Sequence, residues 1–234
     1  LVLSAGLIGY QQLAAGKAQF VLAASWQPAF CEIRSRLPEC RTQTSERYDA
    51  SHFSLHGLWP QPRSKAYCGV MQSEIRKDKD RRWRDLAWNR LDHDLWKRLK
   101  TVMPGTRSGL HKHEWVKHGT CYDGAGPEQY FADALHLMDA LNRSEVRKLF
   151  VSRTGEHLTG SQIRAAFDKS FGAGAGDRVR ISCKTDQDRR LIVELTIGLT
   201  GTISSTSRMS DLIAASQPTE PGCPSGIVDA IGLQ

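Results

Sequence analysis

The pattern of hydrophobic and polar positions along the chain predicts four strands. Residues 19–25 (QFVLAAS) form a short apolar run typical of a buried strand, and residues 52–58 alternate polar with apolar side chains. Residues 178–183 and 190–199 alternate in the same way, after a glycine-rich segment that indicates a flexible connection. These four segments predict a sheet with a buried face.

The second of these strands has one polar and one apolar face. If the strand is regular, His52, Ser54 and His56 project to one side, and Phe53 and Leu55 project to the other. Three polar side chains on a shared face mark a place where chemistry could occur.

Helical periodicity predicts four helices. In the first, apolar residues recur at every fourth position until Pro104 and Gly105 end the helix, and the second covers about residues 111–119. The third begins at Pro127, and the fourth is capped by Ser161. Because helices and strands are segregated rather than regularly alternating, we expect an α+β fold, a single domain with a central antiparallel sheet packed by several helices.

The length of 234 residues suits one domain, and the sequence contains no internal repeat. We interpret residues 1–18, which are apolar and rich in small side chains, as a signal-peptide remnant or an N-terminal extension, and residues 19–234 as the folded domain. The mixed-charge stretch 61–89 predicts a solvated loop or a helix surface. No other apolar run approaches the length of a membrane span, so we expect no membrane partner.

The charge balance favours an acidic partner without selecting one. The chain has 32 Lys and Arg residues against 25 Asp and Glu residues, which gives a formal net charge of +7. A basic surface attracts polyanions such as nucleic acid, although simple solubility explains the same charge equally well.

The cysteines indicate an oxidising compartment. There are six of them, an even number, and no two form a CxxC pair of the kind that binds zinc. Three disulfides fit this spacing and predict a periplasmic or secreted protein, but counting alone leaves 15 pairings open. The six residues are Cys31, Cys40, Cys68, Cys121, Cys183 and Cys223.

The segment HEWVKH concentrates titratable side chains on one helix face. With about 100° per residue, His113, Glu114, Lys117 and His118 project at about 0°, 100°, 40° and 140°. A zinc hydrolase is one interpretation, since HExxH places two histidines four residues apart on one ion. Here the histidines are five residues apart and no third ligand accompanies them, so we expect neither a metal nor another cofactor.

Metal-free phosphoryl chemistry is the alternative interpretation of the same residues. Cleavage of RNA through its own 2′-hydroxyl needs a base for that hydroxyl and an acid for the departing 5′-oxygen. Histidine suits both roles because its ordinary pKa lies near neutral pH. Lys117 and a protonated His113 could stabilise the negative charge that develops on phosphorus.

Two segments resemble the active-site blocks of the ribonuclease T2 family, the acid ribonucleases that include bacterial periplasmic members. They are FSLHGLWP at 53–60 and HEWVKHGTC at 113–121, and they occur in the family's order. SWQPAFC at 25–31 and GCP at 222–224 are supporting matches. The resemblance thus spans about residues 20 to 225.

The resemblance implies a role for each catalytic residue. His118 would be the general base that removes the 2′-hydroxyl proton, and His56 would be the general acid that protonates the 5′-oxygen. His113 would bind phosphate, while Glu114 and Lys117 would stabilise the pentacovalent state.

Substrate binding and disulfide pairing are implied in the same way. Trp59 would stack on a base, and Tyr67 could supply a second stacking surface. Gln61 and Leu110 depart from residues common in the family, which leaves base preference open. The implied pairs are Cys31 with Cys40, Cys68 with Cys121, and Cys183 with Cys223.

Together these observations predict a monomeric endoribonuclease with RNA as its partner. It would cleave single-stranded RNA to 2′,3′-cyclic phosphates, hydrolyse these to 3′-phosphates, discriminate little between bases and need no metal. The alternative from another class is a catalytically silent RNA-binding or recognition protein with the same fold.

Overall fold

In the computed structural model, which describes residues 16–88, 90–123 and 125–232, six strands form one sheet. They are β1 (Phe20–Ser25), β2 (Ser54–Pro60), β3 (His157–Thr159), β4 (Val179–Asp186), β5 (Arg189–Leu199) and β6 (Ser225–Ile227). The order across the sheet is β2-β1-β5-β6-β3, and β4 pairs with β5. The pairings are antiparallel except that between β5 and β6, which is parallel.

Nine α-helices lie within the described ranges and pack around the sheet. They are α1 (Gln27–Ile33), α2 (Pro38–Arg41), α3 (Gln72–Lys79), α4 (His93–Val102), α5 (Leu110–Lys117), α6 (Pro127–Asn142), α7 (Glu145–Ser152), α8 (Gly160–Phe171) and α9 (Met209–Ala214). This arrangement confirms the expected single α+β domain. Residues 1–15, most of the predicted N-terminal extension, lie outside the described residues.

The predicted elements are present, with shifts at their ends. The fourth predicted helix, α8, is capped by Thr159 and not by Ser161 as expected. The Thr159 side chain accepts a hydrogen bond from the backbone N–H of Gln162, and the Gln162 side chain accepts one from the backbone of Thr159. This reciprocal pair needs a cap three residues before the glutamine, which only Thr159 satisfies.

The core lies where α6 packs against the sheet. Phe131, Leu135 and Leu141 of α6 are fully buried, and Tyr130 reaches the sheet, where its hydroxyl donates a 2.9 Å hydrogen bond to the carbonyl oxygen of Leu58. Burying several such side chains stabilises the fold by roughly 1.5–3 kcal/mol each. The core therefore fixes α6 behind the strand that carries the first active-site block.

The pairing of β1 with β2 contains a β-bulge at His56. Ala23 pairs with Gly57, and Ala24 pairs with Leu55, so His56 has no partner residue on β1. A bulge of this kind re-aims side chains and bends the strand locally.

The bulge determines which side chains share a face of β2. In a regular strand, residues three positions apart, such as His56 and Trp59, project to opposite faces. Because His56 is itself the extra residue of the bulge, the alternation shifts there, and its ring lies 5.2 Å from that of Trp59. Alternation alone, which predicts a shared face for Ser54 and His56, therefore misses Trp59, and Ser54 itself is buried.

The three disulfides have the pairing that the family resemblance implies. They join Cys31 to Cys40, Cys68 to Cys121, and Cys183 to Cys223. The stretch 61–89, expected to be a loop or a helix surface, contains α3. No helix in the described ranges is both long and apolar enough to cross a membrane.

Candidate active site

The site forms where β2 meets α5, and a glycine permits the close approach. Trp59 Nε1 of β2 donates a 2.9 Å hydrogen bond to Glu114 Oε2 of α5. A Cβ atom at Gly57 would overlap both the Glu114 carboxylate and the Trp59 indole. Only glycine leaves room for this contact, which joins the two predicted active-site segments on β2 and α5.

Two histidines converge on the second carboxylate oxygen of Glu114. His56 Nε2 lies 3.7 Å from Glu114 Oε1, and His113 Nε2 lies 3.8 Å from the same atom. Oε1 is buried and has no hydrogen-bond partner among the described residues. Burial raises the pKa of Glu114 above its ordinary value, although the charges of His56 and His113 oppose this.

His118 lies next to this cluster, just past the end of α5. It is the C-cap residue of α5, where its backbone N–H still donates a 3.0 Å hydrogen bond to the Glu114 carbonyl oxygen. Its ring lies 5.6 Å from that of Trp59 and 6.3 Å from that of His113. Burial, with the nearby charge of Lys117, lowers the pKa of His118 to about 3. The imidazole is therefore neutral over most of the acidic range and available to accept a proton.

His56 has the opposite titration behaviour because it contacts a carboxylate. Its Nδ1 donates a 2.5 Å hydrogen bond to Glu194 Oε2. Burial lowers the pKa of His56, but the hydrogen bond to Glu194 and the charges of Glu114 and Glu194 outweigh burial, so the pKa lies above its ordinary value. Of the two histidines His56 and His118, His56 is thus the one that retains a proton.

Glu194 reaches His56 from two strands away. Glu194 on β5 pairs with Ser25 on β1, and Ser25 pairs with Ser54 on β2. Adjacent strands lie roughly 4.8 Å apart, so the carboxylate must extend over β1 to meet the imidazole. The small side chain of Ser25 leaves that path open.

His113 is held by a second carboxylate. Its Nδ1 donates a 2.6 Å hydrogen bond to Asp78 Oδ1, and the Tyr67 hydroxyl donates a 2.7 Å bond to Asp78 Oδ2. Trp83 stacks on the His113 ring with centroids 4.6 Å apart and an angle of 24°. Burial raises the pKa of Asp78, but the hydrogen bonds from His113 and Tyr67 lower it. Together with the nearby positive charges they outweigh burial, so the pKa lies below its usual value.

The structure brings the predicted catalytic residues into one cluster. His56, Glu114 and His118 lie around Trp59, and His113 adjoins Glu114 and His118. Lys117 forms no ion pair within the described ranges, and its charge acts on the pKa of four neighbours: His56, Asp78, Glu114 and His118. This cationic side chain is free to meet an anion.

Two other histidines have structural roles. His52 Nδ1 donates to the Tyr48 carbonyl oxygen at 3.0 Å, and its ring stacks on that of Tyr48 with centroids 4.0 Å apart. His111 is buried against Trp88 and Trp96. Burial lowers the pKa of His111 to about 4, so this ring is neutral in the core.

The sequence spacing of His113 and His118 argues against a shared metal ion, but the geometry of the site weakens that argument. Among the described residues, one group of potential ligands lies close enough to hold an ion, and its nitrogen and oxygen atoms lie within 4.8 Å of one another. The members are His113, Glu114 and His118. The five-residue spacing therefore does not keep the ligand atoms of the two histidines apart.

Four residues of the site were not predicted from the sequence. Asp78 and Glu194 orient histidines, Trp83 stacks on His113, and Gly57 permits the contact between strand and helix. Only Gly57 has a signal in the sequence, since a glycine inside a strand often marks a close approach. The others lie far along the chain from the groups they contact, or belong to residue types that are more often structural.

Two proteins with similar sequences are ribonucleases. Ribonuclease I of Escherichia coli is 30% identical over 187 residues, which cover 71% of this chain and 69% of that protein. Ribonuclease S-2 of Nicotiana alata is 32% identical over 144 residues, which cover 56% of this chain and 57% of that protein.

Solved structures show the same fold. RNase NT in complex with 5′-AMP superposes with a TM-score of 0.57 at 24% identity, covering 91% of this chain and 97% of that chain. Ribonuclease MC1 from the seeds of bitter gourd superposes with a TM-score of 0.55 at 19% identity, covering 90% and 99%. A sequence model described as the Ribonuclease T2 family matches residues 17–211. The resemblance is confirmed, and this chain belongs to the Ribonuclease T2 family.

Proposed function

We propose that the chain is a metal-independent endoribonuclease that cleaves single-stranded RNA by transesterification and discriminates little between bases. The observation that carries this proposal is the pair of oppositely shifted histidines. His118 has its pKa lowered to about 3, and His56 has its pKa raised, and both flank Trp59. A neutral imidazole facing a protonated one is the arrangement that concerted acid–base catalysis needs.

The first step would use both histidines at once. His118 accepts the 2′-hydroxyl proton, and the 2′-oxygen forms a bond to phosphorus. The bond from phosphorus to the 5′-oxygen breaks, and the departing oxygen takes its electron pair and a proton from His56. The 2′,3′-cyclic phosphate is then opened by water with the two roles reversed, which leaves a 3′-phosphate.

The remaining residues would stabilise the pentacovalent phosphorus. Lys117 supplies positive charge, and Asp78 holds His113 so that Nε2 faces the cluster. A deprotonated Glu114 would repel the phosphorane, but burial favours its protonated form, whose O–H can donate from Oε1 to a phosphoryl oxygen. We assign base stacking to Trp59, which is half-buried beside both histidines.

Tyr67 remains a proposed second stacking surface. Its hydroxyl is engaged by Asp78, which leaves only the half-buried ring for substrate. We propose that the protein acts as a monomer. The three disulfides support a location in the periplasm or outside the cell, where oxidising conditions maintain such bonds.

The proposal is tested by product analysis. Purified protein is incubated with RNA and with DNA of the same sequence, both in EDTA, and the ends are analysed. We expect RNA fragments with 2′,3′-cyclic phosphate ends and intact DNA, because DNA lacks the attacking hydroxyl. Cleavage that EDTA abolishes would instead indicate a metal at His113, Glu114 and His118. RNA binding without cleavage would support the silent-binder alternative.

A further inference from the structure

A cavity of about 1050 Å³ opens beside His56. Its lining includes His56 and Glu194 but not His113, Lys117 or His118. The cavity therefore extends from the general acid in a direction that the proposed cleavage chemistry leaves unused.

Strand β4 provides one wall of this cavity. Ser182 on β4 pairs with Glu194, the residue that holds His56. Arg180 and Lys184 lie two positions on either side of Ser182, so all three side chains project from one face of the strand. All three line the cavity, and the two cations are spaced roughly 13 Å apart along the extended strand.

The cations along this wall are exposed and unpaired. Arg180 and Lys184 on β4, and Arg34 after α1 on the same cavity, are exposed and form no ion pair within the described part of the chain. Two acidic side chains lining the cavity are already engaged, Glu194 with His56 and Glu39 with Ser108.

Glu220 is an exposed carboxylate at the same cavity. It contributes one negative charge to a rim that carries several positive ones. The exposed rim is therefore suited to a chain of negatively charged groups, such as a nucleic-acid backbone.

We propose that Arg180 and Lys184, on the β4 wall of this cavity, contact phosphates of the leaving RNA strand beyond its first nucleotide on the 3′ side of the scissile bond. The proposal rests on the proposed function: if His56 protonates the departing 5′-oxygen, the leaving strand must emerge on the side of His56. The cavity that opens there can hold more than a single nucleoside, and cationic side chains are the usual partners of phosphate groups. Such contacts are independent of base identity, which agrees with low base specificity.

The test uses substrates with a single ribonucleotide in a deoxyribonucleotide chain, so that cleavage occurs at one defined bond. Three are compared: a dinucleotide, the dinucleotide extended by four nucleotides on the 3′ side, and the dinucleotide extended by four on the 5′ side. The double variant R180A/K184A is measured beside the control K148A/K169A. The control removes the same charge from two lysines that contact Glu145 and do not line the cavity.

In the wild type we expect the 3′ extension to lower KM by about tenfold relative to the dinucleotide. The 5′ extension should lower KM by less. R180A/K184A should lose that advantage, and the slope of log KM against log salt should become shallower by about 0.7 per contact removed. The control should keep both. Glu220→Gln should act in the opposite direction and lower KM for the 3′-extended substrate.

The outcomes separate this inference from the proposed function. If no substrate is cleaved, including the dinucleotide, the proposed function fails. If the dinucleotide is cleaved but the 3′ extension gives no advantage, or R180A/K184A behaves like the control, the binding track is wrong while the cleavage mechanism stands.

Discussion

Glu194 Oε2 accepts a 2.5 Å hydrogen bond from His56 Nδ1, although the two residues lie 138 positions apart and on strands that do not pair. The bond fixes the imidazole so that Nε2 faces Glu114 at 3.7 Å. In the same contact, the carboxylate charge raises the pKa of His56. In the proposed mechanism, Glu194 would be a positioning residue that acts on the reaction through His56.

Glu194→Gln should shift the alkaline limb of the pH profile of kcat/KM to lower pH. The amide keeps a hydrogen-bond acceptor but removes the charge that raises the pKa of His56, so His56 loses its proton at lower pH. The acid limb, set by His118 with its pKa of about 3, should move little. A uniform drop in rate with unchanged limbs would assign Glu194 a merely structural role.

His56→Ala and His118→Ala should each lower kcat/KM by about 10²–10⁴-fold, since each removes a proton-transfer group. The matched control is His93→Ala, because the His93 side chain is 87% exposed. Single-turnover cleavage of RNA measures the effect. Near-wild-type activity in either variant would overturn the assignment of acid and base.

Gly57→Ala should lower activity while leaving the protein folded. The added methyl group overlaps Glu114 and Trp59, so the hydrogen bond between β2 and α5 must break or shift. Gly126→Ala is the control, because a Cβ atom there meets nothing within 4 Å. Circular dichroism checks the fold and kcat/KM the site, and equal rates for the two variants would contradict this account of Gly57.

Removing the Cys68–Cys121 disulfide should cost more stability than removing Cys31–Cys40. The sequence separations are 53 and 9 residues, for which the chain-entropy model gives about 4 and about 3 kcal/mol. Urea denaturation of the two double-alanine variants measures the difference. Removing the Cys68–Cys121 bridge should also lower kcat/KM, since this bridge anchors the segment of Tyr67 beside α5. An equal loss of stability in the two double-alanine variants would argue against the entropic explanation.

His111→Phe should reduce the loss of stability at low pH. His111 has a pKa of about 4 in the folded protein and about 6.5 when unfolded, so the unfolded chain binds the extra proton and stability falls as pH drops through that window. Relative to wild type, the variant should gain up to about 3 kcal/mol between pH 7 and pH 4. A difference in the free energy of unfolding that does not change with pH would contradict the buried neutral state.

The sequence alone predicts most of the elements, because local patterns determine them. The apolar run at 19–25 corresponds to β1, and the helix expected at Pro127 begins there. The two active-site blocks are likewise continuous segments, so His56 and His118 were predicted without the structure.

The supporting carboxylates could not be predicted, because tertiary pairing places them. Glu194 lies in a strand whose sequence shows ordinary alternation of polar and apolar side chains. Asp78 lies in a stretch whose mixed charge is typical of a solvated surface. Neither residue has a local feature that reports which histidine it will contact. The angular argument against a shared metal was insufficient for a related reason, since it gave only directions around the helix axis, whereas the ligand atoms of His113, Glu114 and His118 lie within 4.8 Å of one another.

The bulge at His56 makes the site sensitive to deletions as well as to substitutions. Removing one residue between Leu55 and Trp59 would restore regular alternation and rotate one of the two rings to the opposite face of β2. No point mutation in the catalytic residues would be needed to abolish the site. A family whose sequences vary freely in loop length should therefore keep a constant number of residues across this segment.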